Sequence, residues 1–405
     1  MKHRKWAVVA GTAFLALNTA ITALAGSWKQ DNTGWWYQEA DGSYPVNTWQ
    51  WIDGNHDGIA ECYYFDQNGY LLTAAFTPDG YQVNENGAWT IGPTVQTQMA
   101  QPLAETSNLY TYKEMQRDLS QLQERYPGVP ILVESLGQTP DEREVYHVAI
   151  GDATASKHIL ITGAIHAREY ITSQLVMRQV LDVCSRYQEY MQMNPSVAFH
   201  FVPMVNPDGV TLSQLGIDGM KLDSTKQTLL QIAQNASVKD LSYYWTQWKA
   251  NAAGVDLNRN FDALWENFTK GPKSPASLRY KGVAPHSEVE SKALVDLTER
   301  IGFAVTVNYH TQGEVIYWYF GQSDTFLEES RRLADLGSRC TGYPVIEEYH
   351  SLDGSGYKDW TIQKKGIPGL TIEVGHGSNP VPHEQMTEIW KQNKNLISML
   401  LREFL

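Results

Sequence analysis

Residues 158–169 read HILITGAIHARE, a short apolar run that leads through small residues to a histidine and a glutamate. Three later segments end in a similar way, with apolar residues followed closely by polar ones. They are 198–205 before Asn206-Pro207-Asp208-Gly209, 303–307 before His310, and 370–372 before Glu373. The runs are rich in β-branched residues and almost continuously apolar, which is typical of strands buried on both faces.

Longer patterns with helical periodicity separate these runs. They cover residues 113–126, 172–187 and 287–300, and the last opens with the capping-box sequence Ser287-Glu288-Val289-Glu290. Strands that alternate with helices predict a doubly wound α/β sheet. Functional sites in such sheets lie beyond the carboxyl ends of the strands. The polar segments should therefore lie close together at one edge of the sheet.

His166 and Glu169 have a spacing that suits a shared metal ion. Residues three apart on a helical turn project to one side, so an imidazole and a carboxylate can reach the same ion. His310 adds a second imidazole, and two histidines with one glutamate and an open position form a catalytic zinc set. Alone, a His-x-x-Glu sequence is a weak signal, because a surface His/Glu pair explains most cases. The ordered motifs downstream strengthen it.

From about Tyr110 to Leu405 the sequence resembles a zinc carboxypeptidase domain of the carboxypeptidase A-like family. Five segments carry the resemblance, in the order GAIHAREYIT, NPDG, GVDLNRNF, NYHTQG and LTIEVG. The resemblance implies a doubly wound mixed sheet flanked by helices over residues 108–405. It also implies one zinc ion held by His166, Glu169 and His310.

The same resemblance implies roles for the residues around the metal. Glu373 would take a proton from the attacking water and pass it to the leaving amine, which requires a carboxylate poised near the working pH. Asn258 and Arg259 would bind the terminal carboxylate of the substrate, for which a guanidinium offers a two-pronged match. Arg168 would either contact the acyl side of the substrate or form a surface salt bridge. Asp256 would orient a zinc-binding histidine.

Two positions depart from the family pattern. The arginine that stabilises the transition state normally precedes the DLNRN sequence, and here Lys249 is the cation in the nearest segment. Lys249 either supplies the charge at the developing oxyanion or is merely exposed. The mobile tyrosine of the family falls near Ser351, which Tyr349 and Tyr357 flank. The sequence does not choose between these two tyrosines.

Lys358 precedes Asp359-Trp360, at a position that lines the side-chain pocket in the family. A lysine there favours a substrate side chain that carries a carboxylate, such as diaminopimelate in peptidoglycan, and Tyr357 is expected to line the same pocket. The segments WKANAAGVDLN, HTQGEVIYW and TIEVG also resemble the γ-D-glutamyl-diaminopimelate peptidase branch. That branch often loses the arginine of DLNRN, whereas this chain retains Arg259. A free terminal carboxylate is therefore still expected in the substrate.

Three functions fit these features. The first is a zinc metallopeptidase that hydrolyses stem peptides of peptidoglycan near a free C-terminal carboxylate. The second is a general secreted metallocarboxypeptidase tethered to the cell wall. The third is a non-catalytic wall-binding protein with a decayed peptidase fold, against which the intact metal ligands and Glu373 count.

Residues 26–92 are dense in aromatic and turn residues, beginning with GWWYQEADGSYPVNTW at 34–49. Asp-Gly and Asn-Gly pairs between short aromatic runs predict β-hairpins in a solenoid-like repeat. The region resembles bacterial cell-wall-binding repeats of the choline-binding type, whose rings cage a quaternary ammonium. The alternative is that the rings only pack the hairpins together. Residues 93–107, rich in Pro, Gln and Thr, are predicted to form a linker.

Residues 1–25 have the form of a secretory signal peptide, with a basic start, an apolar stretch and a small-x-small site at 23–25. A membrane anchor is the alternative. No later apolar run reaches about 18 residues, so the mature protein is not expected to span a membrane.

The 405-residue chain carries a net charge of −13. Ten acidic residues and one lysine between residues 26 and 107 account for −9 of it. The chain has no basic patch, which argues against a nucleic-acid partner. Its three cysteines are too few for a disulfide scaffold. Together with the signal sequence and the repeats, these features predict a secreted protein associated with a bacterial cell wall.

Overall fold

The computed structural model describes residues 27–39, 42–54, 59–99, 104, 109–346 and 354–404. The predicted signal peptide and Tyr349 lie outside these residues. The chain divides into two compact units, one comprising residues 1–103 with 120–125 and the other residues 104–119 with 126–405.

The first unit contains short antiparallel strands. They are β1 (Ser27–Gln30), β2 (Trp35–Gln38), β3 (Thr48–Ile52), β4 (Ile59–Phe65), β5 (Gln82–Val83), β6 (Trp89–Ile91), β7 (Thr94–Val95) and β8 (Thr97–Met99). β1 pairs with β2, β4 lies between β3 and β8, and β6 lies between β5 and β7. The predicted β-hairpins are confirmed.

Three five-residue turns in this unit, at 66–70, 77–81 and 84–88, share one backbone geometry. In each, the first N–H donates to the fifth carbonyl at 2.8–2.9 Å, and the N–H of the fourth residue donates back to the first carbonyl. The fourth residue is always glycine, with φ between +82° and +86°. Glycine adopts this left-handed conformation without steric cost. The recurring glycines of the sequence therefore mark repeated turns of one type.

β7 and β8 lie within residues 93–107, the interval predicted to be a linker. β8 pairs antiparallel with β4, where Thr97 lies opposite Glu61 and Met99 opposite Ile59. The linker prediction does not hold for these strands. An edge strand joins its sheet through backbone hydrogen bonds and needs no apolar sequence pattern, so the polar sequence did not reveal it. The hairpin region extends to residue 99.

The second unit is built on a mixed sheet. Its strands are β9 (Ile131–Gln138), β10 (Glu144–Ile150), β11 (Lys157–Thr162), β12 (Val197–Val202), β13 (Val305–His310), β14 (Val315–Tyr317) and β15 (Gly369–Glu373). Among the described residues the strand order is β14–β15–β13–β11–β12–β10–β9. β15, β13, β11 and β12 are mutually parallel, and the outer strands pair antiparallel. The predicted mixed α/β sheet is confirmed, and the four apolar runs are its parallel strands.

Helices flank this sheet, except that residues 120–125 of the first helix belong to the first unit. They are α1 (Tyr112–Arg125), α2 (Ile171–Ser185), α3 (Tyr187–Met193), α4 (Pro207–Leu215), α5 (Asp223–Asn235), α6 (Leu241–Thr246), α7 (Val289–Ile301), α8 (Asp324–Thr341), α9 (Tyr357–Lys365), α10 (Met386–Asn393) and α11 (Leu396–Glu403). The three predicted helical patterns correspond to α1, α2 and α7. Among the described residues, none of the helices combines the length and apolar character needed to span a membrane.

The apolar strand residues form the core. Leu160 and Val202 pack in one cluster with Leu294 and Leu297 of α7, and all four are buried. Burying side chains of this size stabilises the fold by about 1.5–3 kcal/mol each. The close-packed strands thus hold their carboxyl ends, and the residues that follow them, in fixed positions.

Candidate metal centre

Three buried side chains meet beyond the ends of β11 and β13. His166 follows the last residue of β11 by four positions and precedes a short 3₁₀ turn, Ala167–Glu169. His310 is the last residue of β13. The turn is anchored on the neighbouring loop, because the Ala167 N–H donates to the carbonyl of Lys249 at 3.1 Å.

The ligand atoms of these side chains converge on one point. His166 Nδ1 lies 2.9 Å from one carboxylate oxygen of Glu169, and His310 Nδ1 lies 2.9 Å from the other. The two Nδ1 atoms are 3.1 Å apart, and all the candidate ligand atoms lie within 4.8 Å of one another. Two imidazole nitrogens and a carboxylate in a buried position form the donor set of a catalytic zinc site. The residues present therefore fit the ion that the sequence predicts.

Asp256 contacts His166 at the ring nitrogen that does not face the other ligands. Its Oδ1 lies 3.2 Å from His166 Nε2, and its Oδ2 accepts a 2.9 Å bond from the backbone N–H of Arg279. Burial opposes its charge, yet the hydrogen bond with His166 and the cations Lys249 and Arg259 hold the pKa of Asp256 well below its usual value. An ionised Asp256 places the imidazole proton on Nε2 and leaves Nδ1 free to bind a metal.

Glu169 is also ionised. Burial opposes its charge, but His166, Lys249 and His310 together hold the pKa of this carboxyl well below its usual value. The backbone N–H of Thr311 donates to Glu169 Oε2 at 3.2 Å. A carboxylate fixed in this way is ready to accept a cation without rearrangement.

Glu373 ends β15 beside the cluster. It lies directly opposite His310 in the β13–β15 register, so both side chains point to the same face of the sheet. Burial raises the pKa of Glu373 to about 7; Glu169 adds to the rise, and His310 and Lys249 oppose it. A carboxyl with a pKa in this range suits proton transfer at neutral pH.

Lys249 also reaches the cluster. Its Nζ lies 3.7 Å from Glu169 Oε1, and about a quarter of its side chain (26%) is exposed. Its backbone N–H donates to the carbonyl of Ser277 at 2.9 Å, which fixes the loop. Of the two interpretations left open by the sequence, the structure favours a cation at the metal centre.

Asn258 and Arg259 belong to a 3₁₀ turn, Leu257–Arg259, that directly follows Asp256. Asn258 Oδ1 accepts a 3.0 Å bond from the backbone N–H of Tyr357. Arg259 donates to the carbonyl of Gly354 at 3.1 Å, and its guanidinium lies 4.8 Å from the ring centre of Phe268. Both side chains are partly exposed. The turn therefore presents an amide and a guanidinium next to the residue that supports His166.

Arg168 lies on the 3₁₀ turn between His166 and Glu169. Its Nη1 donates to the carbonyl of Gln247 at 3.3 Å, and it forms no salt bridge with any carboxylate in the part of the chain that the structure describes. Its Nε is buried and has no hydrogen-bond partner among the described residues. The guanidinium thus retains a donor beside the metal ligands.

Tyr357 is not available to a substrate. Its side chain is 1% exposed and packs against Phe261 and Trp360, and its hydroxyl lies 2.6 Å from Thr298 Oγ1. The prediction that it lines the specificity pocket is wrong, because the first turn of α9 directs it into the core.

Lys358 is buried and already paired. Its Nζ lies 2.6 Å from Asp359 Oδ1 and donates to the carbonyl of Tyr319 at 3.2 Å. Its stem passes close to Gly369 of β15. The sequence argument assumed an uncompensated ammonium, whereas the adjacent aspartate neutralises it. The structure therefore does not support selection of an acidic side chain by Lys358.

Two asparagines that the sequence did not single out position this site. Asn206 donates through Nδ2 to the carbonyls of Ile165 and Ala250, at 3.3 and 3.0 Å, and so ties together the segments that carry His166 and Lys249. Asn379 exchanges two bonds with Thr311, at 3.0 and 3.1 Å. Asn206 stands in the NPDG motif, which carried a signal, but Asn379 lies in no recognisable motif.

The sheet, the buried His-Glu-His cluster and the adjacent carboxylate define a metallopeptidase. The sequence pattern of the zinc carboxypeptidase family matches residues 115–396. The chain belongs to this family, and its cofactor is one zinc ion. When bound, the zinc ion supplies Lewis-acid activation of water and of the scissile carbonyl.

Two proteins of related sequence agree with this assignment, and a solved structure has the same fold. The chain is 35% identical over 295 residues to γ-D-glutamyl-L-diamino acid endopeptidase 1 of Lysinibacillus sphaericus, and the aligned region covers 70% of each protein. It is 26% identical over 288 residues to carboxypeptidase B of Astacus astacus, covering 67% of this chain and 88% of the relative. Bovine thrombin-activatable fibrinolysis inhibitor has the same fold, with a TM-score of 0.57 at 19% identity over 73% of this chain and 97% of that structure.

Loss of the carboxylate behind His166 should weaken the metal site. Asp256→Asn is expected to lower zinc affinity by about 10- to 100-fold, because the imidazole is no longer held in one tautomer and orientation. His166→Ala is expected to lose most of the zinc. Metal analysis after dialysis against graded chelator measures both effects. Asp262→Asn, which alters a half-exposed partner of Lys364, serves as the control. Unchanged zinc affinity in Asp256→Asn would show that His166 is oriented by other groups.

Proposed function

We propose that the protein hydrolyses the γ-D-glutamyl–diamino acid bond in stem peptides of peptidoglycan. The observation that carries the proposal is the 35% identity to an endopeptidase named for that bond. The site agrees with it, because the buried metal ligands lie together with a carboxylate of raised pKa and with Lys249, a cation that is only partly exposed.

Two residues beside the metal ligands act on the attacking water and on the scissile carbonyl. Glu373 takes a proton from the attacking water and returns it to the leaving amine, as its raised pKa allows. Lys249, held beside Glu169, places a positive charge where the scissile carbonyl becomes an oxyanion. The metal ligands are buried and about three quarters of the Lys249 side chain is shielded, so water screens these charges less than it screens charges on an open surface.

Asn258 and Arg259 bind a carboxylate on the leaving residue. A guanidinium matches a carboxylate through two parallel bonds, and Arg259 is kept in place by Gly354 and Phe268. A diamino acid of the stem peptide carries the carboxylate that this pair requires. On the acyl side, the free α-carboxylate of a γ-linked glutamate faces the partly exposed side chain of Arg168.

A general metallocarboxypeptidase is the second candidate. The 26% identity to a carboxypeptidase B and the retained Arg259 favour it. Lys358 no longer separates the two candidates, because its ammonium is paired with Asp359. The two functions therefore have to be distinguished by the bond that is cleaved.

A pair of linkage isomers provides this test. We expect L-Ala-γ-D-Glu-diaminopimelate to be cleaved at the glutamyl bond with a kcat/KM at least about tenfold above that of the α-linked isomer. This ratio corresponds to one charge-assisted hydrogen bond to the free α-carboxylate. An N-acylated Phe-Phe dipeptide serves as the substrate of a general carboxypeptidase. Faster release of phenylalanine than of diaminopimelate would support the second candidate instead.

We also propose that the first unit retains the enzyme on the cell wall after export. Trp28 packs edge-on against Tyr37 and Tyr63, with ring centres 5.2 and 5.0 Å apart, so part of the aromatic content stabilises the hairpins. Other rings remain in solvent, namely Trp35 at 43%, Tyr44 at 52% and Phe76 at 71% exposure. Exposed aromatic faces on an acidic unit suit a cationic group of a wall polymer.

Removing the exposed rings should reduce wall retention without affecting hydrolysis. The triple variant Trp35→Ala, Tyr44→Ala, Phe76→Ala is expected to bind purified walls at least about tenfold more weakly, since each ring contributes about 0.5–1 kcal/mol to an exposed cation–π contact. Co-sedimentation with walls and turnover of a soluble peptide are measured together. Val46→Ala with Ile91→Ala, which removes exposed aliphatic surface from the same unit, is the control. Equal sedimentation of all three proteins would exclude the aromatic rings as the wall contact.

A further inference from the structure

A cavity of about 370 Å³ lies beside the first half of β11, in the same unit as the metal centre. Its walls are mostly apolar, with Ile131 and Ile301 among them, and three histidines and Glu134 add polar groups. His158 is the second residue of β11, whereas His166 lies beyond the opposite end of that strand. None of the described residues that line the cavity is a ligand of the metal centre.

The histidines form an unbroken row of hydrogen bonds that ends on a carboxylate. Glu134 Oε1 lies 2.9 Å from His147 Nδ1, and His147 Nε2 lies 2.9 Å from His200 Nδ1. His200 Nε2 in turn lies 2.9 Å from His158 Nδ1. The rings stand on three adjacent strands, because β12 pairs with both β10 and β11.

The carboxylate fixes the direction of every proton in this row. An ionised Glu134 only accepts, so His147 carries its proton on Nδ1 and, when neutral, accepts on Nε2. The same reasoning places the protons of His200 and His158 on Nδ1. Burial, with His147, His158 and Arg300 nearby, lowers the pKa of His200 to about 3, so the central ring is neutral. In its neutral form, His158 therefore has a lone pair on Nε2, and this atom has no partner among the described residues.

The charges around the cavity disfavour an anion. Glu134 and Asp152 contribute two carboxylates to its lining, and Arg300 is the cation among the described lining residues. Arg300 is already engaged, because both terminal nitrogens of its guanidinium bond to Glu134. Asp152 accepts bonds from Thr154. A ligand therefore meets apolar walls, negative charge and His158, a lining residue whose Nε2 can accept a hydrogen bond.

We infer that this cavity is a second binding site, for a small apolar molecule that carries one hydrogen-bond donor. The donor bonds to His158 Nε2, and the row of imidazoles ending on Glu134 polarises that nitrogen as an acceptor. The volume and the few convergent polar groups match small-molecule sites in proteins. An aromatic alcohol of the size of phenol has the required chemistry.

Three probes of similar size test the ligand class on the full-length, zinc-loaded protein. Phenol carries the donor, toluene lacks it, and benzoate replaces it with an anion. Phenol is expected to bind at least about threefold more tightly than toluene, the effect of one neutral hydrogen bond, and benzoate more weakly than either. Burial of apolar surface alone would rank toluene above phenol, so that order, or tightest binding of benzoate, would overturn the proposal. Titration followed by the ¹⁵N resonance of His158 Nε2 reports the contact directly.

Two variants test the location. His158→Phe keeps a ring of similar shape without the acceptor, and it should weaken phenol about three- to tenfold while leaving toluene unchanged. Ala149→Leu narrows the cavity and should weaken phenol and toluene alike. His383→Gln, outside the cavity lining, is the control. Phenol binding that is unaffected by both cavity variants would place phenol elsewhere, the substrate pocket included, and would refute the site.

Discussion

Glu373→Gln should lower kcat by at least about 10²-fold while leaving zinc content and substrate affinity close to those of the unmodified protein. Glutamine preserves the volume and shape of the side chain but cannot accept a proton. The position of Glu373 makes this loss specific, since its register with His310 directs it toward the metal cluster. Burial raises its pKa to about 7, which suits it to both halves of a proton transfer.

The measurement is steady-state hydrolysis of the γ-linked tripeptide, with metal analysis of the same preparation. Glu299→Gln is the matched control, because it removes one carboxylate of a surface ion pair with Lys365. A Glu373→Gln enzyme that retains more than about a third of the normal kcat would show that another group activates the water.

The metal ligands could be predicted from the sequence because the ends of the strands could be predicted. Apolar runs buried on both faces identify parallel strands, and polar residues that follow such strands must meet at one edge of the sheet. His166, His310 and Glu373 all follow this rule. Their mutual distances were not predictable, because the pairing of His310 with Glu373 depends on a strand register that spacing along the chain does not encode.

The predictions for the specificity residues were wrong for a different reason. Counting back from Asp359 placed Lys358 and Tyr357 next to a pocket, but a helix turns successive side chains by about 100°, so adjacent residues face different surroundings. The Tyr357 side chain therefore packs in the core against Thr298, and Lys358 forms an ion pair with Asp359. Both outcomes depend on tertiary contacts that no local pattern reveals.

The start of α7 shows the same limit at a smaller scale. The capping box predicted from Ser287 and Glu290 does not form, and the helix begins at Val289 without a side-chain cap. Asn260, distant in sequence, accepts bonds from the Glu288 N–H and the Ser291 hydroxyl instead, at 3.2 and 2.5 Å. The side-chain amide oxygen of Asn260 thus accepts bonds from the start of the helix, and a tertiary contact takes the place of the local cap.

Lys249→Met should lower kcat by about 10²- to 10³-fold with little change in KM, the usual cost of removing one donor from an oxyanion site. Methionine keeps most of the length and apolar character of the lysine stem but carries no charge. The ground-state substrate has little charge at the scissile carbonyl, so the loss should fall on kcat and not on binding. Lys249→Arg retains a cation and should recover much of the rate.

The position of Lys249 next to Glu169 requires a control on the metal. Its Nζ is 3.7 Å from a ligand oxygen, and its charge helps to keep that carboxyl ionised. His166 and His310 supply the remaining stabilisation, so zinc content is expected to stay near one ion per chain. Lys226→Met, which removes a surface cation from α5, controls for net charge. If Lys249→Met kept both its zinc and its full kcat, the oxyanion charge would have to come from another cation. Arg168 would be the residue to substitute next. It lies on the same turn as Glu169, and its Nε has no hydrogen-bond partner among the described residues.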